Sequence, residues 1–379
     1  MKTVTAYIVL SLCVFLSAAD AVSQDYRSVH DGVEYAQVTH KIGDEPVKID
    51  LLRLDLTKVR LDVKMAMDTV IGTETTSSIA KRHGAVAAIN AGFFRLDTSI
   101  FAGEPANFLM IDGDILSEGS NERIAIGIKN WSHMSEVFFL RPEVKFELEL
   151  GGKKFPINGI NREAKDGETI LFTDAFHATT LTRSGCFEVA MDRIRVTQIS
   201  KAGSLPIAKN SHVVSTCGSD TAELEKIARR GRKARVIRSE MIHQSSETQH
   251  SPLTNKLEDA VTGVSQLIKD GKINLTWERE KANKAFAESR HPRTAVAKLK
   301  DGKFLMVTVD GRQPGVSVGM SLQELAEYLL TVGAVDAINL DGGGSTAMFL
   351  DGKIVNEPSD TNGERKVGDA IIVTLRKQK

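Results

Sequence analysis

The chain has 379 residues, 41% of them hydrophobic and 26% charged. That is an ordinary globular composition, long enough for a large core in one domain or two. Its 49 Lys and Arg are balanced by 49 Asp and Glu, and no long basic run is present, which argues against a nucleic-acid partner.

The N-terminus reads as an export signal. Lys2 precedes an apolar run, Ala6 to Leu16, broken only by Ser11, and Ala19-Asp20-Ala21 supplies small residues for cleavage after Ala21. The run is short for a bilayer span, and no other segment reaches membrane length. A secreted or periplasmic protein is expected. Without the signal, Cys186 and Cys217 remain, to pair in an oxidising compartment or to stay as buried thiols. Asn130-Trp131-Ser132 and Asn274-Leu275-Thr276 fit the glycosylation sequon, which matters only in a glycosylating host.

Residues 33–67 alternate apolar and polar. Val47 to Leu51 and Val59 to Val63 have period two and predict antiparallel strands with one wet face. Thr76-Ser77-Ser78 cap a short helix, Ile79 to His83, stopped by Gly84. Val86 to Ile89 predicts a buried strand running into Asn90-Ala91-Gly92-Phe93-Phe94. Phe108 to Leu116 predicts a hairpin around Asp112-Gly113, and Ile124 to Ile128 another strand. Residues 137–250 alternate short strands and turns, with a short helix at Glu223 to Arg230. Glu240 to Asn255 is polar and reads as a mobile loop.

The last hundred residues are better marked. Val261 to Ile268 leads into the turn Asp270-Gly271, and Ala295 to Leu299 into Asp301-Gly302. Phe304 to Val309 ends at Asp310-Gly311-Arg312. Ser321 and Glu324 form a capping box for a helix with Leu322, Leu325, Ala326, Leu329 and Leu330 on one face, ended by Gly333. A β-branched run then delivers Asp341, and hairpins are expected at Met348 to Val355 and Ala370 to Leu375. The whole reads as an α+β chain: mixed, largely antiparallel twisted sheets with a few packed helices.

Chemistry concentrates where apolar strands stop. Asn339-Leu340-Asp341-Gly342-Gly343-Gly344-Ser345-Thr346 sets a carboxylate and two hydroxyls around bare backbone, at an entropic cost that a plain turn does not require. Asn90, Arg293 with Thr294, and Asp310 with Arg312 also stand at strand ends. If these ends converge, they bring together two carboxylates, two guanidiniums, an amide and open N–H groups. Arginine offers a planar fork for phosphate, and paired carboxylates suit glycosidic bond cleavage. Each residue alone also fits a turn former or a surface ion pair. P-loop and zinc patterns are absent from the sequence, and Ser184-Gly185 lacks the Gly-x-Ser-x-Gly frame of a nucleophile elbow. Residues 360–364 offer hard oxygens without the calcium-loop pattern, so no cofactor is required, while a divalent cation such as calcium stays open. His291 is a candidate proton donor.

Together, Ala88-Ile89-Asn90-Ala91-Gly92-Phe93-Phe94, His291-Pro292-Arg293-Thr294-Ala295, Val309-Asp310-Gly311-Arg312 and Asn339 to Thr346 resemble the phosphodiester glycosidase family. Gly363-Glu364-Arg365 before Val367-Gly368 also matches. The likeness runs from about Gly32 to Leu375 and is strongest after residue 260. Ala91 and Asp369 depart from the family, which often has Gly and Asn there. The resemblance implies one domain over 22–379 that hydrolyses a sugar-1-phosphodiester at the anomeric carbon. It implies catalytic roles for Asp341, Asp310, Arg293 and Arg312. It implies substrate contacts from Asn90, Gly92, Thr294, Gly342, Gly343, Ser345 and Glu364. The partner is a sugar phosphate or glycan. Two alternatives stay open: a glycosidase on an extracellular polysaccharide without phosphate, and a secreted glycan-binding protein without turnover.

Overall fold

Strands from the two ends of the chain meet in one large sheet. The computed structural model describes residues 24–244, 247–249 and 257–377, so the expected export signal lies outside it. The sheet has the order Arg27–His30, Val33–Ile42, Glu45–Leu54, Phe304–Val309, Arg293–Leu299, Ala334–Asn339, Gln266–Lys269 and Lys272–Ile273. Neighbours run antiparallel, so the start of one strand lies beside the end of the next. Arg293 pairs with Val309, and Ala295 with Asn339. This register gathers the C-terminal motifs at one end of the sheet.

A second sheet runs Lys353–Ile354, Met348–Leu350, Ala87–Asn90, Asp369–Leu375 and Val59–Met65. Ala370 to Leu375, expected as a hairpin, is therefore one strand between two partners. Its residues Ala370 to Val373 are all buried, and such a segment carries no alternation to reveal its neighbours. Between these sheets lies a continuous apolar core that includes Leu52, Leu61, Ile89, Val296, Ile338 and Ile371.

Residues 109–262 build two further sheets. One is dominated by Ser135–Leu150, a 16-residue strand paired with Ala125–Asn130, Lys153–Ile157 and Ala234–Gln244. The loop expected from Glu240 is thus strand as far as Gln244, paired from Ala234 to His243 against Leu150 to Arg141. Part of that expected loop, including Asn255, lies outside the described residues. The other sheet is Gly159–Ile160, Thr169–Thr173, Ser211–Thr216, Phe187–Asp192 and Arg195–Ser200. Cys186 and Cys217 form a disulfide beside the Phe187–Thr216 pair. Closing this loop stabilises by about 3–4 kcal/mol on the chain-entropy account. Asn130 is buried and donates its amide to Leu61 O and Glu258 Oε2, both at 3.0 Å, so this fold has no room for a glycan at the first sequon.

The described helices are short: Thr76–Arg82, Thr221–Ile227, Lys284–Glu288 and Leu322–Thr331. The largely antiparallel sheets with a few packed helices are as expected, but strand so outweighs helix that the α+β class is corrected to mainly β. Leu322–Thr331 forms as its sequence dictates. Ser321 and Glu324 make the reciprocal capping box, and Leu322, Leu325, Ala326 and Leu329 are fully buried. Each buried leucine contributes about 1.5–3 kcal/mol. Gly333, at φ +87°, ends the helix and turns the chain into Ala334–Asn339. The first helix begins earlier than expected, with Thr75 as its cap, accepting from Ser78 N–H.

Candidate active site

Asn90 joins the two sheets at the end where the motifs meet. It is fully buried, and its Nδ2 donates to Asp341 O at 2.7 Å. Its Oδ1 accepts from Thr294 Oγ1 at 2.8 Å and from Ala347 N at 3.1 Å. Asp341 N–H donates to Ala91 O at 2.9 Å. Asn90 and Thr294 thus fix the backbone of the glycine loop, with the Asn90 oxygen already accepting two protein hydrogen bonds.

The loop needs its glycines for close approach. A Cβ on Gly342 would lie 2.7 Å from Pro292 O, and one on Gly344 would lie 2.1 Å from both Arg365 Nη2 and Asp360 Oδ1. Gly343 sits at φ +61° and begins a 3-10 turn, Gly343–Ser345. The expected row of open amides is mostly engaged. Gly342 N–H donates to Asp341 Oδ1 at 3.0 Å, and Gly343 N–H to Pro292 O at 2.9 Å.

Asp341 is partly exposed at the edge of this loop. Enclosure pushes its carboxyl up to about 7, while the Ser345 hydroxyl, the Gly342 N–H and the Arg365 charge favour the ionised form. The carboxylate that adds to this upward push is Asp369, on the adjoining sheet. Asp369 is 2% exposed, accepts from Gly92 N–H at 2.6 Å, and is pushed up to about 6 by burial. Gly92 is required there because a Cβ would fall 2.9 Å from both Asp369 Oδ2 and Val261 Cγ2.

The two arginines part company. Arg312 is exposed, at φ +62°, and a Cβ on Gly343 would lie 3.0 Å from its Nη2. It has no ion-pair or hydrogen-bond partner among the described residues. Arg293 is 1% exposed and donates to three carbonyls: Met320 O at 2.8 Å, Phe286 O at 2.7 Å and Ser289 O at 3.0 Å. Its guanidinium also lies 5.0 Å over the Phe286 ring, and burial lowers its pKa to about 10. Most of its fork is committed to the chain itself. His291 stands near both arginines, and burial together with their charges holds its pKa below the usual value.

Asp310 also looks inward. It is 1% exposed, and burial pushes it up to about 6. Its oxygens accept from Asn356 Nδ2 at 3.0 Å and from Glu357 N–H at 3.1 Å. Asn356 Nδ2 also donates to Thr346 O at 3.2 Å, so Asp310 ties the end of the glycine loop to the segment after Ile354. Glu364, expected to touch substrate, has both oxygens on the first helix. Ser77 N–H donates at 2.7 Å and Ser77 Oγ at 2.6 Å. A residue type read from a motif does not show which way it faces, and here the helix N-terminus claims the carboxylate.

Sequence reading missed Asn356 and gave no site role to Asp369 and Arg365, noted only in the family resemblance, or to Asp360 beyond that of an oxygen donor. Arg365 pairs with Asp360 at 2.7 and 2.9 Å, against Gly344. Their spacing in Asp360 to Arg365 was visible, but the carboxylate was read as a hard-oxygen donor. No group of three or more His, Cys, Asp or Glu side chains is arranged to hold a metal among the described residues. In the 360–364 loop, Asp360 and Glu364 are taken by Arg365 and Ser77.

Comparison with known proteins fits this architecture. Residues 186–374, just under half of the chain, match the family model of the phosphodiester glycosidases. The Asn90 motif lies outside the matched stretch. The chain is 34% identical over 125 residues to bovine N-acetylglucosamine-1-phosphodiester alpha-N-acetylglucosaminidase, covering 30% of this chain and 23% of the relative. It is 34% identical over 112 residues to the SPbeta prophage-derived protein YomE of Bacillus subtilis, covering 28% of this chain and 16% of that one. The chain therefore spans less than a quarter of the length of these curated relatives. A solved Synechocystis protein has the same fold, with TM-score 0.76 and 22% identity over 94% of this chain and 65% of that one.

Proposed function

We propose that this protein is a glycosidase that hydrolyses a sugar-1-phosphodiester of the α-N-acetylglucosaminyl phosphate type at the anomeric carbon. One observation carries the reading: an unpartnered guanidinium, Arg312, lies over the glycine loop that presents Asp341. A cation beside a reactive carboxylate suits a substrate whose leaving group is anionic. A phosphomonoester, with a second pKa near about 6, leaves without strong general-acid help. Arg312 stabilises the charge that develops on the departing phosphate. Asp341 attacks the anomeric carbon, or takes the proton from an attacking water. Ser345 and the Gly342 N–H hold its carboxylate in place. Asp310, Asn90, Thr294 and Arg293 act by fixing the loop and its neighbours. Export to the periplasm or the medium, directed by residues 1–21, accompanies this role. Among the described residues no helix is long and apolar enough to cross a membrane.

The test is release of free sugar from UDP-N-acetylglucosamine by residues 22–379, with and without a chelator, against a plain aryl α-N-acetylglucosaminide. Arg312→Ala should lower kcat/KM on the phosphodiester by about ten- to a hundredfold, the loss of one charged contact, and leave the neutral substrate nearly unchanged. Equal losses on both substrates would remove phosphate recognition from Arg312. Inhibition by the chelator would establish a metal requirement.

A further inference from the structure

A cavity of about 450 Å³ opens between the two sheets of residues 109–262, and none of the residues around Asp341 lines it. Its floor is apolar and includes Phe146 and Leu171, both buried. Its rim is polar: Asp114, Asp174, His212 and Arg238 come from separate strands or the turns that follow them. The size falls within the roughly 300–1,000 Å³ of small-molecule sites, and an apolar floor with a few converging polar groups is their usual form.

We propose that this cavity is a second binding site, for one or two pyranose rings of a neutral oligosaccharide. The assignment follows from the rim. Two carboxylates on the rim offer acceptors and repel phosphate, so this is not a second phosphodiester site. Arg238, held by Glu240, adds a positive charge that opposes a cationic amine. His212 lies within the fields of Asp174 and Asp114, and burial keeps it neutral near pH 7, with one donor and one acceptor. Acceptors, a guanidinium donor and a neutral imidazole match ring hydroxyls, while the floor meets the C–H face of the ring. Asp174 is already oriented, since its Oδ2 accepts from Asn210 N–H at 2.8 Å. The sugar class here is read from the lining and does not depend on the proposed hydrolysis.

The experiment is calorimetric titration of the Asp341→Asn protein, in which turnover is silenced, with the β-1,4 trisaccharide of N-acetylglucosamine, with maltotriose and with spermidine. One of the trisaccharides should bind. Asp174→Asn, which keeps an acceptor for Asn210, and separately Asp114→Asn, should each weaken binding at least tenfold, while Arg312→Ala leaves it unchanged. The proposal is overturned if neither trisaccharide binds, if spermidine binds instead, or if Arg312→Ala abolishes binding and the rim variants do not. Because hydrolysis is not read, any of these results leaves the proposed activity standing.

Discussion

Arg293 and Arg312 show how burial divides one residue type into two roles. Arg293 spends its hydrogen bonds on Met320, Phe286 and Ser289 carbonyls, so Arg293→Ala should cost about 2–4 kcal/mol through orphaned buried acceptors and a lost ring contact. Urea denaturation would register this as a lower midpoint. Arg312→Ala should leave that midpoint within experimental scatter, because nothing in the described structure leans on it. Asp341 makes a separate prediction. A nucleophile or base must be ionised, and its carboxyl is pushed up to about 7. The rate should therefore rise with pH toward an apparent midpoint near neutrality, and a profile flat between pH 5 and 8 would argue that Asp341 acts in neither role. Sequence alone placed Asp341, Ser345 and Arg312 together through glycines and strand ends. It gave no sign that Asp310 and Arg293 turn inward, because that depends on Asn356, Glu357 and Met320, which are distant in sequence.

At the scale of elements, local rules were readable and non-local pairing was not. Leu322–Thr331 carries its start, its buried face and its stop within a dozen residues, and it forms as those signals require. Asp112-Gly113 likewise takes positive φ at both positions, as a tight hairpin needs. The strand Ala234–Gln244 carries polar residues because one face is wet, and only its partner Ser135–Leu150 makes it a strand. The first helix depends on a residue 287 positions away: Glu364 receives Ser77 N–H and Oγ near its N-terminus. Glu364→Ala should destabilise by about 1–2 kcal/mol, as loss of a charged cap does. Amide hydrogen exchange should quicken in residues 76–82, and unchanged protection there would show that the contact does not hold the helix.

Over the whole molecule, acidic groups are stored inside the β-sheet core. Asp50 is fully buried, bonded to Tyr35 and to Gln37 at 3.1 Å, with its Oδ2 unpartnered, and burial pushes it up from 3.8 to about 7. A folded-state pKa above the unfolded value means the contribution to stability is full below about pH 4 and is lost as pH rises through about 7. Wild type should therefore lose stability relative to Asp50→Asn between pH 5 and pH 8, read as a widening difference in Tm. A constant difference across that range would mean Asp50 is ionised in the folded protein as it is in the unfolded chain, contradicting the raised pKa.

In the proposed mechanism, Asp341 carries the chemistry of a sugar-phosphodiester hydrolase. The most direct measurement is single-turnover release of N-acetylglucosamine from UDP-N-acetylglucosamine by wild type and Asp341→Asn, with folding checked by circular dichroism. The rate should fall by at least about a thousandfold with the fold intact. Turnover within tenfold of wild type in a folded Asp341→Asn protein would contradict that mechanism.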